Sequence, residues 1–119
     1  MSKIATDLEQ SKILKNILPL DSHDMYYEGK NGDLDSEFNL FVGQDIAILK
    51  NLFSYRFGYT IPAWSLNALF NVMPPIQELC SSTDHYYRVQ CMNLFSEWHD
   101  NAIDSCVEMI IILHGKGLL

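Results

Sequence analysis

The stretch YYRVQCMNLFSEWHDNAIDSCVEMIIILHG, residues 86–115, decides the fold. Its first part, residues 86–98, is rich in the aromatic and β-branched types typical of strands, and a break near Asn93 predicts two strands. A helix follows, because Asn101 or Asp100 can cap the first free backbone N–H groups of an apolar-periodic segment. The stretch therefore predicts strands that pack against a long C-terminal helix.

The apolar positions of this last helix predict which side is buried. They fall on one stripe at helical spacing: Ile103, Cys106, Val107, Ile110 and Ile111. Gly115 suits the left-handed backbone position that closes such a helix. Because buried thiols behave as small hydrophobic groups, Cys106 is expected in the core.

An opening helix is predicted over residues 6–18. Thr6 with Glu9 fits a capping box, and Pro19 ends the pattern. The apolar stripe of this segment contains Ile4, Leu8, Leu14 and Leu18, widened by Ile13 and Ile17. We expect this helix to face the core.

A third helix is predicted in WSLNALFNVMPP, residues 64–75. Trp64 or Ser65 begins it, and the proline pair ends it. Its apolar residues follow the spacing i, i+3, i+4, i+7: Leu66, Leu69, Phe70 and Met73. Trp64 is expected to pack into the core.

Strands are predicted at residues 25–28 and 38–42, separated by a loop rich in Gly, Asn and Asp. Residues 45–58 fit both a helical stripe and a strand alternation, and their aromatic content favours a strand over 52–59. The order of elements predicts a single α+β domain, residues 1–119, in which an antiparallel or mixed sheet of about four to five strands packs with three helices.

Length and charge limit the classes of protein to which the chain can belong. Its 119 residues fit one domain, and 48% hydrophobic with 19% charged residues is a globular balance. The net charge of −7, from 8 basic and 15 acidic residues, disfavours binding to a nucleic-acid backbone.

Cysteine usage and apolar runs predict the compartment. The three cysteines, Cys80, Cys91 and Cys106, are an odd count without a CxxC pair, which favours free thiols over a disulfide framework. The polar N-terminal residues do not fit a signal peptide, and the longest apolar run, residues 109–113, is too short to span a membrane. We therefore expect a cytoplasmic protein without a membrane partner.

An acidic segment carries the predicted interaction surface. Seven of the fifteen acids lie in residues 21–45, opposed only by Lys30. Such charge is typical of a solvated face, and it can also steer a protein partner of opposite charge. Tyr26 and Tyr27 are consecutive in a predicted strand, so one must face away from the core. The predicted surface contains Asp24, Tyr26, Tyr27, Glu28, Asp33, Asp35 and Glu37.

The alternative is an enzyme or a metal-binding domain that uses segment 85–106. Its candidate groups are His85, Cys91, His99 and Cys106. The short paired spacings typical of structural zinc are missing, and no motif identifies a nucleophile with its base. No cofactor, metal or catalytic residue is therefore predicted. An exposed edge in residues 86–98 leaves a second copy of the chain open as a partner.

Three segments resemble a known family. They are SKILKNILPLDSHDMYY (11–27), IPAWSLNALFNVMP (61–74) and DNAIDSCVEMIIILHGKGLL (100–119), about 50 of the 119 residues. In this order and spacing they resemble a family of small uncharacterised proteins from gut anaerobes, their phages and mobile elements. The resemblance implies a cellular setting and supports the fold, and it implies no activity, cofactor or catalytic residue.

The chain departs from this family pattern at three places. His23 and Asn67 stand where the family has small residues, and residues 43–58 form a longer segment. The matching positions are mostly helix-core and turn residues. The resemblance therefore bears on architecture and leaves the function to the residues themselves.

Overall fold

A computed structural model of the chain describes residues 3–29, 38–44, 60–75 and 77–119. Within these ranges the protein is α+β, with three α-helices, one short 3-10 helix and six strands in two antiparallel three-stranded sheets. The predicted class is confirmed, and two sheets replace the predicted single sheet of four to five strands. The predicted strand over 52–59 and the question of helix or strand at 45–58 lie outside the described residues.

The chain divides into two compact units, Asp7–Trp64 and Met1–Thr6 with Ser65–Leu119. The prediction of a single domain stays a prediction. No helix in the described residues is long and apolar enough to cross a membrane.

In its described residues, the Asp7–Trp64 unit contains one α-helix, one short 3-10 helix and the first sheet. Its elements are α1 (Leu8–Leu14), a 3-10 helix (Leu20–Ser22), β1 (Met25–Gly29), β2 (Phe38–Val42) and β3 (Thr60–Ala63). The strand order is β2-β1-β3, and α1 packs against β3. The strands predicted at residues 25–28 and 38–42 are confirmed.

The N-terminus of α1 is capped one residue later than predicted. Asp7 accepts from Gln10 N–H at 2.8 Å, and the Gln10 side chain accepts from Asp7 N–H at 3.0 Å. This reciprocal pair is a capping box, and aspartate is a better N-cap than threonine. Thr6, the predicted cap, is instead fully buried. Ile4 and Ile13, predicted on the buried stripe, are exposed.

Trp64 belongs to the buried residues of this unit, as predicted. Its side chain has no exposed surface, and its Nε1–H donates to Ser22 Oγ at 2.9 Å. A buried indole N–H needs such an acceptor. Among the described residues from Asp7 to Trp64, the other buried apolar side chains are Leu14, Leu18, Met25, Ile61 and Ala63.

The second unit contains the second sheet and two helices; along the chain, one helix precedes the three strands and the other follows them. Its elements are α2 (Leu66–Val72), β4 (Gln77–Ser81), β5 (Tyr87–Cys91), β6 (Leu94–Phe95) and α3 (Ala102–Gly115). The strand order is β4-β5-β6, and α3 packs against β5 and α2. The side chain of Ser65 caps α2 by accepting a hydrogen bond from Ala68 N–H. Of the two predicted starts, Trp64 and Ser65, the structure has Ser65.

The predicted break near Asn93 is a two-residue turn between β5 and β6. Cys91 pairs with Leu94, so Met92 and Asn93 form the turn. Met92 has φ of 56°, in the left-handed region that such tight hairpin turns require. The prediction of two strands in residues 86–98 is therefore confirmed.

The predicted cap of α3 is confirmed at Asn101, whose Oδ1 accepts from Asp104 N–H at 2.8 Å. Four residues of the predicted stripe are buried: Ile103, Cys106, Val107 and Ile110. Ile111 is 41% exposed, so this part of the prediction is wrong. Gly115 is the last helical residue, so the prediction of a left-handed backbone at Gly115 is wrong, and Gly117, with φ of 72°, takes that conformation instead.

Candidate functional site

An exposed aromatic pair lies on one face of the first sheet. Tyr26 pairs across the strands with Phe41, and Glu28 pairs with Asn39. These four residues share a face because directly opposite and alternate positions point the same way. The rings of Tyr26 and Phe41 stack with centroids 5.4 Å apart and 21° between their planes. We call these four residues the tyrosine face.

The tyrosine face is open to solvent at its outer strand. Phe41 is 42% exposed, Glu28 and Asn39 are exposed, and Tyr26 is half-buried. Its strand β2 lies at the edge of the sheet in the described part of the chain. A stacked aromatic pair beside a carboxylate therefore stands where another molecule can reach it.

The structure divides the predicted interaction surface. Tyr26 and Glu28 share the tyrosine face, whereas Tyr27 lies on the opposite face with Ile61 as its cross-strand partner. Asp24 directly precedes β1, and its carbonyl accepts from Gly43 N–H at 2.7 Å. The remaining predicted acids, Asp33, Asp35 and Glu37, lie outside the described residues.

A second exposed aromatic group lies on the second sheet. The Cζ atom of Arg88 lies 4.6 Å from the ring centroid of Phe95 and 4.7 Å from that of Trp98. Phe95 is 48% exposed and Trp98 is 43% exposed. A cation over an aromatic ring is stabilised by about 0.5–1 kcal/mol at exposed sites and more where it is desolvated. We call these three residues the arginine face.

One extra residue between Phe95 and His99 brings the rings of Phe95 and Trp98 to the same face of the sheet. Gln90 pairs with Phe95, but Tyr87 pairs with His99, so residues 96–98 stand opposite only residues 88–89. In a regular strand, side chains three positions apart point to opposite faces. The extra residue acts as a bulge, which re-aims the side chains that follow it.

Ser96 holds this bulge in place. Its Oγ accepts from Val89 N–H at 2.9 Å and donates to the Glu97 carbonyl at 2.9 Å. Its own N–H donates to the Val89 carbonyl at 2.9 Å. Ser96 is buried, and its bond from Val89 N–H satisfies a backbone donor that is buried as well.

The other side of the bulge faces α3. His99 Nε2 lies 2.7 Å from Glu108 Oε1, and Glu108 Oε2 accepts from Glu97 N–H at 2.9 Å. Ser105 Oγ donates to the Tyr87 carbonyl at 2.7 Å. Two α3 side chains thereby bond the irregular end of the sheet, which is a structural role for His99.

The two buried thiols lie on the helix side and have chemistry unsuited to catalysis. Cys91 and Cys106 have no exposed surface. Burial raises the pKa of Cys91 and raises that of Cys106 to about 12. The nucleophilic thiolate form is therefore disfavoured at neutral pH.

His85 lines a cleft that neither buried thiol lines. It is exposed in the turn before β5, has φ of 65°, and lines a cleft of about 370 Å³ with Lys3, Tyr87 and Asp100. Cys91, His99 and Cys106 are not among the residues that line this cleft. In the described residues, no group of three His, Cys, Asp or Glu side chains is placed to hold a metal ion.

Sequence reasoning missed the arginine face. The alternation of β5 correctly separates Arg88 and Gln90 from Val89 and Cys91. Regular alternation also separates Phe95 from Trp98, so the cluster is invisible without the bulge. The available signal in the sequence was the presence of two aromatic residues, Phe95 and Trp98, on either side of Ser96.

Comparison of the chain with protein families, curated proteins and solved structures finds no match. The resemblance to the family of small proteins from phages and mobile elements stays a prediction. The functional interpretation therefore rests on the two faces.

Proposed function

We propose that the chain is a small protein-interaction protein that binds a basic partner through the tyrosine face. The observation that carries the proposal is the exposed Tyr26–Phe41 stack with Glu28 on the same face. Aromatic residues dominate the energetics of protein interfaces, and a stacked pair is already held in place. The setting implied by the family resemblance, a cytoplasmic accessory of a phage or mobile element, is part of this proposal.

Charge supports a basic partner. The tyrosine face is in the part of the sequence where seven of the fifteen acids fall within 25 residues. Opposite charge on the partner would steer the encounter and select against acidic competitors. Because salt screens such contacts, the affinity should fall as ionic strength rises.

The experiment identifies the partner by position. A photo-crosslinking amino acid replaces Asn39, which is exposed on the tyrosine face, and in a control protein it replaces Ile13, which is exposed on α1. Both proteins are irradiated in nuclease-treated lysate of the organism that makes the chain. A protein cross-linked from position 39 and not from position 13 is then purified for binding measurements.

Calorimetry on that purified protein tests the chemistry. Tyr26→Ala and Glu28→Lys should each weaken binding about tenfold or more, the size expected for interface hot-spot residues. Asp84→Lys makes the same charge change at an exposed turn of the other unit and should leave the affinity unchanged. Equal cross-linking from both positions, or equal effects of Glu28→Lys and Asp84→Lys, would contradict the proposal.

The alternative of an enzyme or metal-binding domain gains no supporting observation. It requires at least two of His85, Cys91, His99 and Cys106 in one concave site. His85 lines a cleft without the other three, and His99 bonds Glu108. Equimolar zinc or iron in the purified protein would reopen this alternative.

A further inference from the structure

The arginine face carries a cation for which the described residues supply no acceptor. In the described part of the chain, the Arg88 guanidinium makes no ion pair and no side-chain hydrogen bond, and its Nε is buried without a partner. Buried polar groups in native proteins almost always have a partner, so an exception needs an explanation. The two rings hold the guanidinium in position and supply no acceptor oxygen.

An anion with apolar surroundings would suit this guanidinium and the two rings beside it. The guanidinium presents its N–H donors in a fixed plane, which matches the two oxygens of a carboxylate. Phe95 and Trp98 are each close to half exposed and would cover the apolar neighbours of that anion. Arginine and tryptophan are also the residue types most enriched among interface hot spots.

The local charge selects a singly charged group. Glu78 is exposed on the same face of the sheet, opposite Gln90, and Glu97 is exposed immediately before Trp98. One guanidinium neutralises one carboxylate, whereas a phosphate or a nucleic-acid strand would bring further negative charge next to these acids. The net charge of −7 opposes polyanions in the same way.

We propose that the arginine face binds a glutamate or aspartate side chain presented by an apolar segment of another protein. This site shares no residue with the tyrosine face, which is proposed to bind the opposite charge. The two proposals are therefore tested independently of each other. Failure of the tyrosine-face experiment would leave this one intact.

The test follows Arg88 directly by NMR. The chain has two arginines, Arg56 and Arg88, so the Nε–Hε spectrum contains two signals that Arg88→Lys assigns. The probes are acetyl-Leu-Glu-Phe-amide and its matched neutral form, acetyl-Leu-Gln-Phe-amide, titrated to about 10 mM to cover the weak affinity of small ligands. The glutamate peptide should shift the Arg88 and Trp98 side-chain signals in a saturable way, with at least tenfold higher affinity than the glutamine peptide.

Two further peptides test the identity of the anion. Acetyl-Leu-phosphoserine-Phe-amide and acetyl-Leu-Gln-Phe with a free C-terminal carboxylate should both bind more weakly than the glutamate peptide. Tighter binding of either one would overturn the proposed side-chain carboxylate. Equal response to the glutamate and glutamine peptides, or no shift with either, would overturn anion binding altogether. A concentration-dependent shift without peptide would identify a second copy of this chain as the occupant and would also overturn the proposal.

Matched variants separate binding from folding. Arg88→Met removes the charge and should abolish the preference for glutamate, whereas Lys116→Met removes one positive charge at an exposed site of the same unit and should leave it unchanged. Trp98→Leu keeps an apolar side chain at a half-exposed position and should weaken binding about fivefold or more, as loss of an interface aromatic does. Full affinity in both Arg88→Met and Trp98→Leu would contradict the assignment.

Discussion

The imidazole of His99 and the carboxylate of Glu108 are joined by a 2.7 Å contact between Nε2 and Oε1, and this contact links the irregular end of the second sheet to α3. Both side chains are about 30% exposed, so the pair is only partly desolvated. The second oxygen of Glu108 accepts the backbone N–H of Glu97 at 2.9 Å. One carboxylate therefore bonds both a side chain and the backbone at the bulge.

Glu108→Ala should lower the free energy of unfolding by about 1–2 kcal/mol, because it removes the acceptor of a backbone N–H and the partner of His99. Urea denaturation followed by circular dichroism measures this change. Asp84→Ala, which removes an exposed carboxylate from a turn of the same unit, should stay within about 0.5 kcal/mol of the wild type. Equal stability of the two variants would show that Glu108 has no structural role.

Ser96→Ala should be at least as destabilising, with a loss of about 1–3 kcal/mol, because the Val89 N–H then lies buried without its acceptor. Ser81→Ala, at an exposed position of strand β4, is the matched control and should be close to neutral. The same variant should move the Trp98 indole signal in NMR spectra, because the bulge positions that ring. An unchanged Trp98 signal in a folded Ser96→Ala protein would contradict the role given to Ser96.

Cys106 should make the protein less stable in alkaline solution. Burial raises the folded-state pKa from 9.0 to about 12, so above pH 9 the unfolded chain loses a proton that the folded chain keeps. The stabilisation is complete below pH 9 and is lost as the pH rises through about 12. At about pH 10, one unit above the unfolded-state pKa, the loss is about 1.4 kcal/mol.

Urea denaturation of the wild type and of Cys106→Ala at about pH 8 and about pH 10 measures this contribution, because the other titrating groups are common to both proteins. The wild type should lose more stability than the variant between the two pH values. The same pH dependence in both proteins would show that Cys106 is not buried as a thiol. In the native protein, thiol reagents should label Cys80, which is half-exposed, well before Cys91 or Cys106.

Sequence patterns predicted those parts of the fold, such as helix caps and turns, that depend on residues adjacent in the chain. The helix cap is predicted at Asn101 or Asp100, and a division between two strands is predicted near Asn93, because both features depend on neighbouring residues only; the structure has the cap at Asn101 and the turn at Met92 and Asn93. Strand β4 was missed because Gln77–Ser81 has no fully buried position to mark an inner face. Its pairing with β5 is a tertiary contact that no local pattern reveals.

The two candidate faces differ in the same way. The tyrosine face was partly predicted, because consecutive tyrosines in a strand must point to opposite sides and acids surround them in sequence. Its partner Phe41 comes from cross-strand register, which the sequence did not specify. The arginine face depends on a register change of one residue, and a periodic pattern cannot show where such a change occurs.

The bulge also bears on the length of this segment. A variant that lacks the extra residue, Glu97, would have two residues opposite Arg88 and Val89, and regular alternation would then place Trp98 opposite Arg88 and His99 opposite Tyr87. Both contacts would be kept, and the hydrogen bond from Glu97 N–H to Glu108 would be lost. When related sequences are aligned, loss of one residue between Phe95 and His99 should therefore be tolerated.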